Sequence, residues 1–386
     1  MTDVERWGLL ELQVDGPVAM EFHHEDDSAY VESFRDGDQW LIRFMPSLEG
    51  TWRYTGAVSG VFTCTPATTR GPVRRSGTTL RSADGTPYHP LTTTWFGTPD
   101  NWPEACRALA ASPFNRVRLC ASADSVDAQV RDLSAVDMVA EIVVDSFVPE
   151  VVSRLAAYRN ITWCIENTAD VRAVAEQIAE YDSGRHLISA HAAADPGVPW
   201  LTHLSVSLEN LRGVSALRRD YDKPVHVDAC GYEGNGSTPD TSLTAQEMLT
   251  RIWEGTVRGA YVTHGEWYVD HASGPWSDGG VRPTGVAAQR LRLLREVLDE
   301  LPDGVEPIDD HRDAPTLAVP GSYYLQYLGE HQFPDRTFSL PAGTYQVEVL
   351  DVWNHSVRRT VENVEESLTV RLPGTQYQAI QIRRTA

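Results

Sequence analysis

Apolar and polar residues follow two different periods along this chain, and the period changes twice. Over residues 1–70 the apolar positions come in short runs at strand spacing. Leu9, Leu10, Leu12 and Val14 lead into a turn at Asp15-Gly16-Pro17, and the run Trp40–Met45 is stopped by Pro46. Gly50-Thr51-Trp52-Arg53-Tyr54 sets Trp52 and Tyr54 on one face. No helical period is present, and short strands at this spacing predict a small amino-terminal β-sandwich. Residues 71–87 are rich in Thr, Arg, Gly, Ser and Pro and read as a linker.

From 88 to 303 short β-rich runs alternate with amphipathic helices. The runs are Thr93–Phe96, Phe114–Leu119, Met138–Val144, Ile161–Ile165, Leu187–His191, Leu204–Val206, Pro224–Val227 and Ala260–Val262, eight in all. Between them Val171, Val174, Ala175 and Ile178 form a helical stripe, as do Leu291, Leu294, Val297 and Leu298. Thr244 with Glu247 makes a capping box ahead of Met248, Ile252 and Trp253. Eight strands alternating with helices predict a (β/α)8 TIM barrel, an α/β fold. The stretch from His191 to His203 is too short for a real crossover helix. From 312 to 386 strand patterns return, at Tyr323–Leu328, Tyr345–Leu350, Leu368–Leu372 and Tyr377–Ile382, and predict a small carboxy-terminal β-sandwich.

A length of 386 residues fits one large domain with small ones beside it. The net charge of −21 argues against nucleic acid or an anionic membrane surface as a partner, since both require a basic footprint. No apolar run approaches the ~18 residues of a membrane span. The opening Met1-Thr2-Asp3-Val4-Glu5-Arg6-Trp7 has no basic segment followed by an apolar run, so no signal peptide is expected. The five cysteines are scattered and outside any CxxC spacing, which predicts free thiols and a cytoplasmic setting. There is no phosphate loop, no GxSxG elbow and no short metal-ligand spacing, so neither cofactor nor metal is expected.

Certain motifs then point to a family. Val4-Glu5-Arg6-Trp7, Arg43-Phe44-Met45-Pro46 and Gly50-Thr51-Trp52 mark the amino-terminal part. Asn160-Ile161-Thr162-Trp163, Thr202-His203-Leu204-Ser205, Lys223-Pro224-Val225, Gly231-Tyr232-Glu233-Gly234-Asn235 and Thr263-His264-Gly265-Glu266 mark the barrel, and Asp351-Val352-Trp353-Asn354 the last part. In combination they resemble a three-part bacterial group: an amino-terminal β-sandwich, an apiosidase-like glycoside hydrolase barrel of clan A type, and a small carboxy-terminal β-domain. The resemblance implies a carbohydrate or glycoside as ligand. It also implies a glutamate after Asn167 and another after Asp228, where this chain has Thr168 and Ala229.

Glycoside hydrolysis ordinarily needs two carboxyl groups, ~5–5.5 Å apart for retention or ~6.5–9.5 Å for inversion. Threonine and alanine offer neither an acid nor a nucleophile. The remaining strand-end carboxylates therefore become the catalytic candidates: Glu266 first, with Glu233 and Glu166. Glu166 shares the inward face of position 168, whereas Asp228, next to Ala229, is expected on the other face. Trp95, Arg118, Asp145, Asn167, His191, His203, Asp228, Tyr232, His264 and Trp267 fall at strand ends and describe a polar, aromatic-edged cavity for a hydroxyl-rich small molecule. Three readings follow: carbohydrate chemistry with relocated carboxylates, a barrel turned to isomerisation, cyclisation or elimination, or a sugar-binding protein without turnover.

Overall fold

The computed structural model describes residues 2–385 apart from 121–125, 145–148, 167, 169, 194, 270–273 and 309–312. The predicted runs form eight parallel strands: β1 (Thr92–Thr94), β2 (Arg116–Cys120), β3 (Val139–Val144), β4 (Ile161–Ile165), β5 (Ile188–Ala190), β6 (Leu204–Ser207), β7 (Val225–Ala229) and β8 (Ala260–His264). Each pairs with its neighbour, β8 returns to β1, and a bridge from His191 to Ser205 joins β5 to β6. This is a near-closed TIM barrel. Around it lie α1 (Trp102–Ala110), α2 (Val126–Ala135), α3 (Pro149–Leu155), α4 (Val171–Tyr181), α5 (Gly213–Tyr221), α6 (Ala245–Val257), α7 (Ala287–Arg290) and α8 (Arg292–Asp299). The described residues between β5 and β6 form no helix, as their number predicts. The capping box is made: Glu247 N–H donates to Thr244 Oγ1 at 3.2 Å, and Thr244 N–H donates to Glu247 at 2.8 Å.

Strand alternation sorts the side chains in an unusual way. Val117, Leu119, Ile142, Trp163, Val225, Val227 and Val262 join helix residues such as Leu133, Leu155, Ile178 and Ile252 in one core outside the barrel. The alternate positions Arg116, Arg118, Glu141, Cys164, Ser205, His226 and Asp228 point inward, and none is more than 5% exposed. Barrel interiors of this fold are ordinarily filled by branched aliphatic residues. A charged interior stands only if its charges are paired, since an unpaired buried ion costs several kcal/mol.

The flanking parts are β-rich. Five strands from Thr2 to Thr65 and three from Leu10 to Phe44 form two sheets over a common core containing Phe22, Phe44, Trp52 and Phe62. Buried Arg43 fastens this unit to the barrel through Asp127 at 2.7 Å and the Arg154 carbonyl at 3.0 Å. At the other end a six-stranded sheet and a two-stranded sheet enclose Phe338, Tyr345 and Ile382, and Tyr327 stacks on Trp253 of α6 at 5.6 Å.

Within the segment read as a linker lies a hairpin, Val73–Ser76 with Thr79–Ser82, turning at Gly77 with φ +60°. Its two apolar residues, Val73 and Leu80, pack with Val139 and Leu187 at the strand starts. Arg74 adds a hydrogen bond to the Gly184 carbonyl at 2.9 Å. Two well-placed apolar side chains hold a polar segment against the barrel floor.

Candidate functional site

Arg118, central in β2, is the hub of the interior. Its Nη1 lies 2.9 Å from Asp228 of β7, its Nε 3.3 Å from Glu141 of β3, and its Nη2 3.4 Å from Glu166 just past β4. One guanidinium thus ties four strands. Arg116, one layer deeper, donates to Glu141 at 2.6 Å and to His226 Nδ1 at 2.5 Å. Asp228 also accepts from Ser205 Oγ at 2.5 Å and from Thr263 Oγ1 at 3.0 Å. His203 Nε2 lies 4.0 Å from Glu141.

The electrostatics follow from this pairing. Burial opposes the charged form of Asp228, but Arg118 outweighs it and holds the carboxyl far below the usual range. Burial likewise opposes ionisation of Glu141, and Arg116 with Arg118 prevails over it and over repulsion from Asp228. Both carboxylates are ionised, and burial with the nearby Arg116 keeps His203 and His226 neutral. Burial pushes the Cys164 thiol up to about 12, so it is no nucleophile.

Above this network sits the mouth. Glu166 keeps 23% of its side chain exposed while its Oε2 rests on Arg118. His191 follows β5 on the adjacent strand, and its backbone N–H donates to the Ile165 carbonyl at 2.8 Å. Its Nδ1 is 3.0 Å from Ser205 Oγ and its Nε2 3.0 Å from Ser207 Oγ. The hydroxyl hydrogen of Ser205 is committed to Asp228, so Ser205 accepts from His191. Nδ1 therefore carries a proton, and Nε2 meets the exposed Ser207 hydroxyl. Half-buried Tyr232 packs against Gly265 and lies edge-on to half-buried Trp267, 6.2 Å away. Thr168 and Ala229 are half-buried at the ends of β4 and β7.

A second polar cluster stands behind the mouth. Short strands Glu233–Gly234 and Glu266–Trp267 continue β7 and β8 and pair in parallel, with Glu233 opposite Glu266. Both glutamates are 0% exposed. Glu266 accepts from Thr284 N–H at 2.6 Å, Thr284 Oγ1 at 2.6 Å and Gly285 N–H at 2.8 Å. Glu233 accepts from Val286 N–H at 2.7 Å, Ala287 N–H at 3.1 Å and the Tyr268 hydroxyl at 3.1 Å. A Cβ on Gly285 would fall 2.5 Å from the Glu233 carboxylate, so only glycine admits this approach. Burial raises the pKa of both glutamates, and Glu233 raises that of Glu266 further. His264, which ends β8, places Nδ1 3.2 Å from Thr93 Oγ1.

The predicted site residues thus separate into groups. Glu166, His191, Tyr232 and Trp267 gather at the mouth, with Arg118 and Asp228 directly beneath. Asp228 faces inward rather than outward, because His226, two residues earlier, already occupies the interior against Arg116. His203 precedes β6 and lies at the floor. Glu233, Glu266 and His264 form the rear cluster. Trp95 is 1% exposed, donates to the Gly280 carbonyl at 2.8 Å and packs on Trp102, so it belongs to the core. Asp145 and Asn167 lie outside the described residues. Glu141, Arg116, Ser205 and Thr263 escaped the sequence reading. Their signal was polar residues at every second position of strands otherwise apolar.

Two models match the ends of the chain: a domain of unknown function (DUF5060) over residues 3–59 and another (DUF5605) over residues 312–383. No curated protein matches. A solved candidate glycoside hydrolase from Bacteroides vulgatus is similar over 100% of both chains, with TM-score 0.89 and 24% identity. A glycoside hydrolase family 5 structure from the same organism covers 82% of this chain and 94% of its own, with TM-score 0.64 and 13% identity. The chain therefore has the fold of a glycoside-hydrolase-like TIM barrel with β-rich parts at both ends.

Proposed function

We propose that the barrel mouth binds a carbohydrate or glycoside and acts on it by proton transfer through Glu166 and His191. The observation that carries this reading is that these two groups stand side by side, on consecutive strand ends, anchored from below. Arg118 orients the Glu166 carboxylate, and the chain Asp228–Ser205 holds His191 through Nδ1, leaving Nε2 on the exposed Ser207 hydroxyl at the mouth. A carboxyl group and an imidazole supply the one acid and one base that such a reaction requires. Tyr232 and Trp267 provide a hydroxyl and a flat apolar face for a sugar ring.

The two-carboxylate displacement of ordinary glycosidases is not part of this proposal. Asp228 is committed to Arg118, Ser205 and Thr263, and Thr168 and Ala229 stand where the apiosidase-like arrangement would place glutamates. Those substitutions favour a second reading, sugar binding without turnover. We read the end units as β-sandwiches that brace the barrel, and the five free thiols support a cytoplasmic setting.

A panel of oligosaccharides and aryl glycosides, followed by thermal shift and product analysis, tests both readings. Binding plus turnover that falls by a factor of ~10²–10⁴ in Glu166→Gln and His191→Ala, with binding retained, supports proton transfer. Binding without product on every member leaves sugar binding. An absence of any shift across the panel overturns both.

A further inference from the structure

We propose that Glu233, Glu266 and His264 form a binding site for one divalent transition-metal ion, which clamps the ends of β7 and β8 to the segment leading into α7. One ligand atom from each residue lies within 4.8 Å of the other two, and all three residues are 0% exposed. Donor atoms held ~2.1 Å from one ion are at most ~4.2 Å apart, so small side-chain shifts convert this spacing into a coordination sphere.

The donors are also available. His264 Nδ1 is turned to Thr93, and His264 Nε2 is buried without any hydrogen-bond partner. Buried His186, His203 and His226 also leave Nε2 without a partner, but among the described residues only His264 has ligand atoms of two carboxylates gathered with its own within 4.8 Å. Each glutamate has one oxygen, Oε2, that accepts a single backbone N–H and keeps a lone pair.

Charge points the same way. Two carboxylates lie side by side in a fully buried site, and no ion pair to an arginine or lysine reaches either of them among the described residues. A cation would complete what the backbone amides of 284–287 begin. Imidazole with two carboxylates suits Zn²⁺ or Mn²⁺ better than Mg²⁺ or Ca²⁺, which favour all-oxygen shells. Full burial makes the ion structural, independent of any turnover at the mouth.

The test uses the full chain, stripped with EDTA and titrated with Zn²⁺ and, separately, Mn²⁺. Uptake is read by elemental analysis and calorimetry, and stability by Tm. One equivalent per chain is expected, with a rise in Tm of several degrees. His264→Ala and Glu266→Gln lose that equivalent, while His331→Ala, an exposed control, keeps it. Uptake of no stoichiometric metal by the folded wild type, with Tm unmoved by EDTA or by either ion, overturns the site. So does one equivalent retained in both site variants. Because wild-type uptake is decisive by itself, a variant that misfolds leaves the test intact.

Discussion

Two carboxylate clusters lie a few residues apart in this barrel, and they are held by opposite means. Around Arg118, Glu141 and Asp228 are buried and ionised, because two arginines of β2 stand beside them. In the rear cluster Glu233 and Glu266 are equally buried, but they meet backbone amides in place of cations. The first arrangement ties strands to one another across the barrel. The second ties a loop to the strand ends. A buried carboxylate is therefore not by itself a sign of catalysis. What surrounds it decides whether it is a fixed charge, a loop anchor or a proton carrier, and only Glu166 among these retains access to the mouth.

The contrast is broken most directly at its hub. Arg118→Met leaves Asp228 and Glu141 without their shared cation and is expected to lower unfolding free energy by ~3–5 kcal/mol in chemical denaturation. A loss under about 1 kcal/mol would mean that Arg116 and the hydroxyl donors suffice. Glu266→Gln removes no ion pair but turns one acceptor oxygen into a donor facing a backbone N–H. It should cost less, ~1–3 kcal/mol in metal-free protein, by the same measurement. Equal losses in the two variants would erase the distinction between the clusters.

Acid sharpens the comparison further. His203 and His226 are held neutral in the fold with pKa values below the ordinary ~6.5, so the unfolded chain takes up protons that the native state refuses. The stability they contribute is present above pH ~6.5 and is lost as pH falls toward their native values, by at most ~1.4 kcal/mol per pH unit for each histidine. The groups facing them, Arg116, Glu141, Asp228 and Tyr261, include two carboxyls held low, which extend the loss to lower pH in the same direction. Unfolding free energy measured from pH 7 to 5 should fall, and His203→Gln with His226→Gln should flatten the slope. An unchanged slope in the double variant would locate the acid sensitivity elsewhere.

Much of the fold was legible in the sequence because period reports burial. All eight barrel strands fall where alternating or continuous apolar runs predicted them, and α4 and α6 where their stripes and the Thr244–Glu247 box predicted. The hairpin at 73–82 was not legible, since Val73 and Leu80 gain meaning only from Val139 and Leu187 beneath them. At the site, Glu166, His191, Tyr232 and Trp267, each read at or just past a strand end, stand at the mouth of the barrel. Strand-end position did not reveal that Trp95 is packed away, because Trp102 and the Gly280 carbonyl that bury it come from other parts of the chain.

The sequence by itself determined the alternation of eight strands with helices, the acidic surface, and a barrel with polar residues at every second strand position. Those are local properties, set by side-chain period and composition. Only the tertiary structure decided which of the many acidic strand-end residues is paired, which is anchored and which is open. That choice depends on neighbours brought from other strands. Asp228 meets Arg118 across the barrel, and Glu233 meets Val286 over a loop, through contacts between residues far apart in the chain.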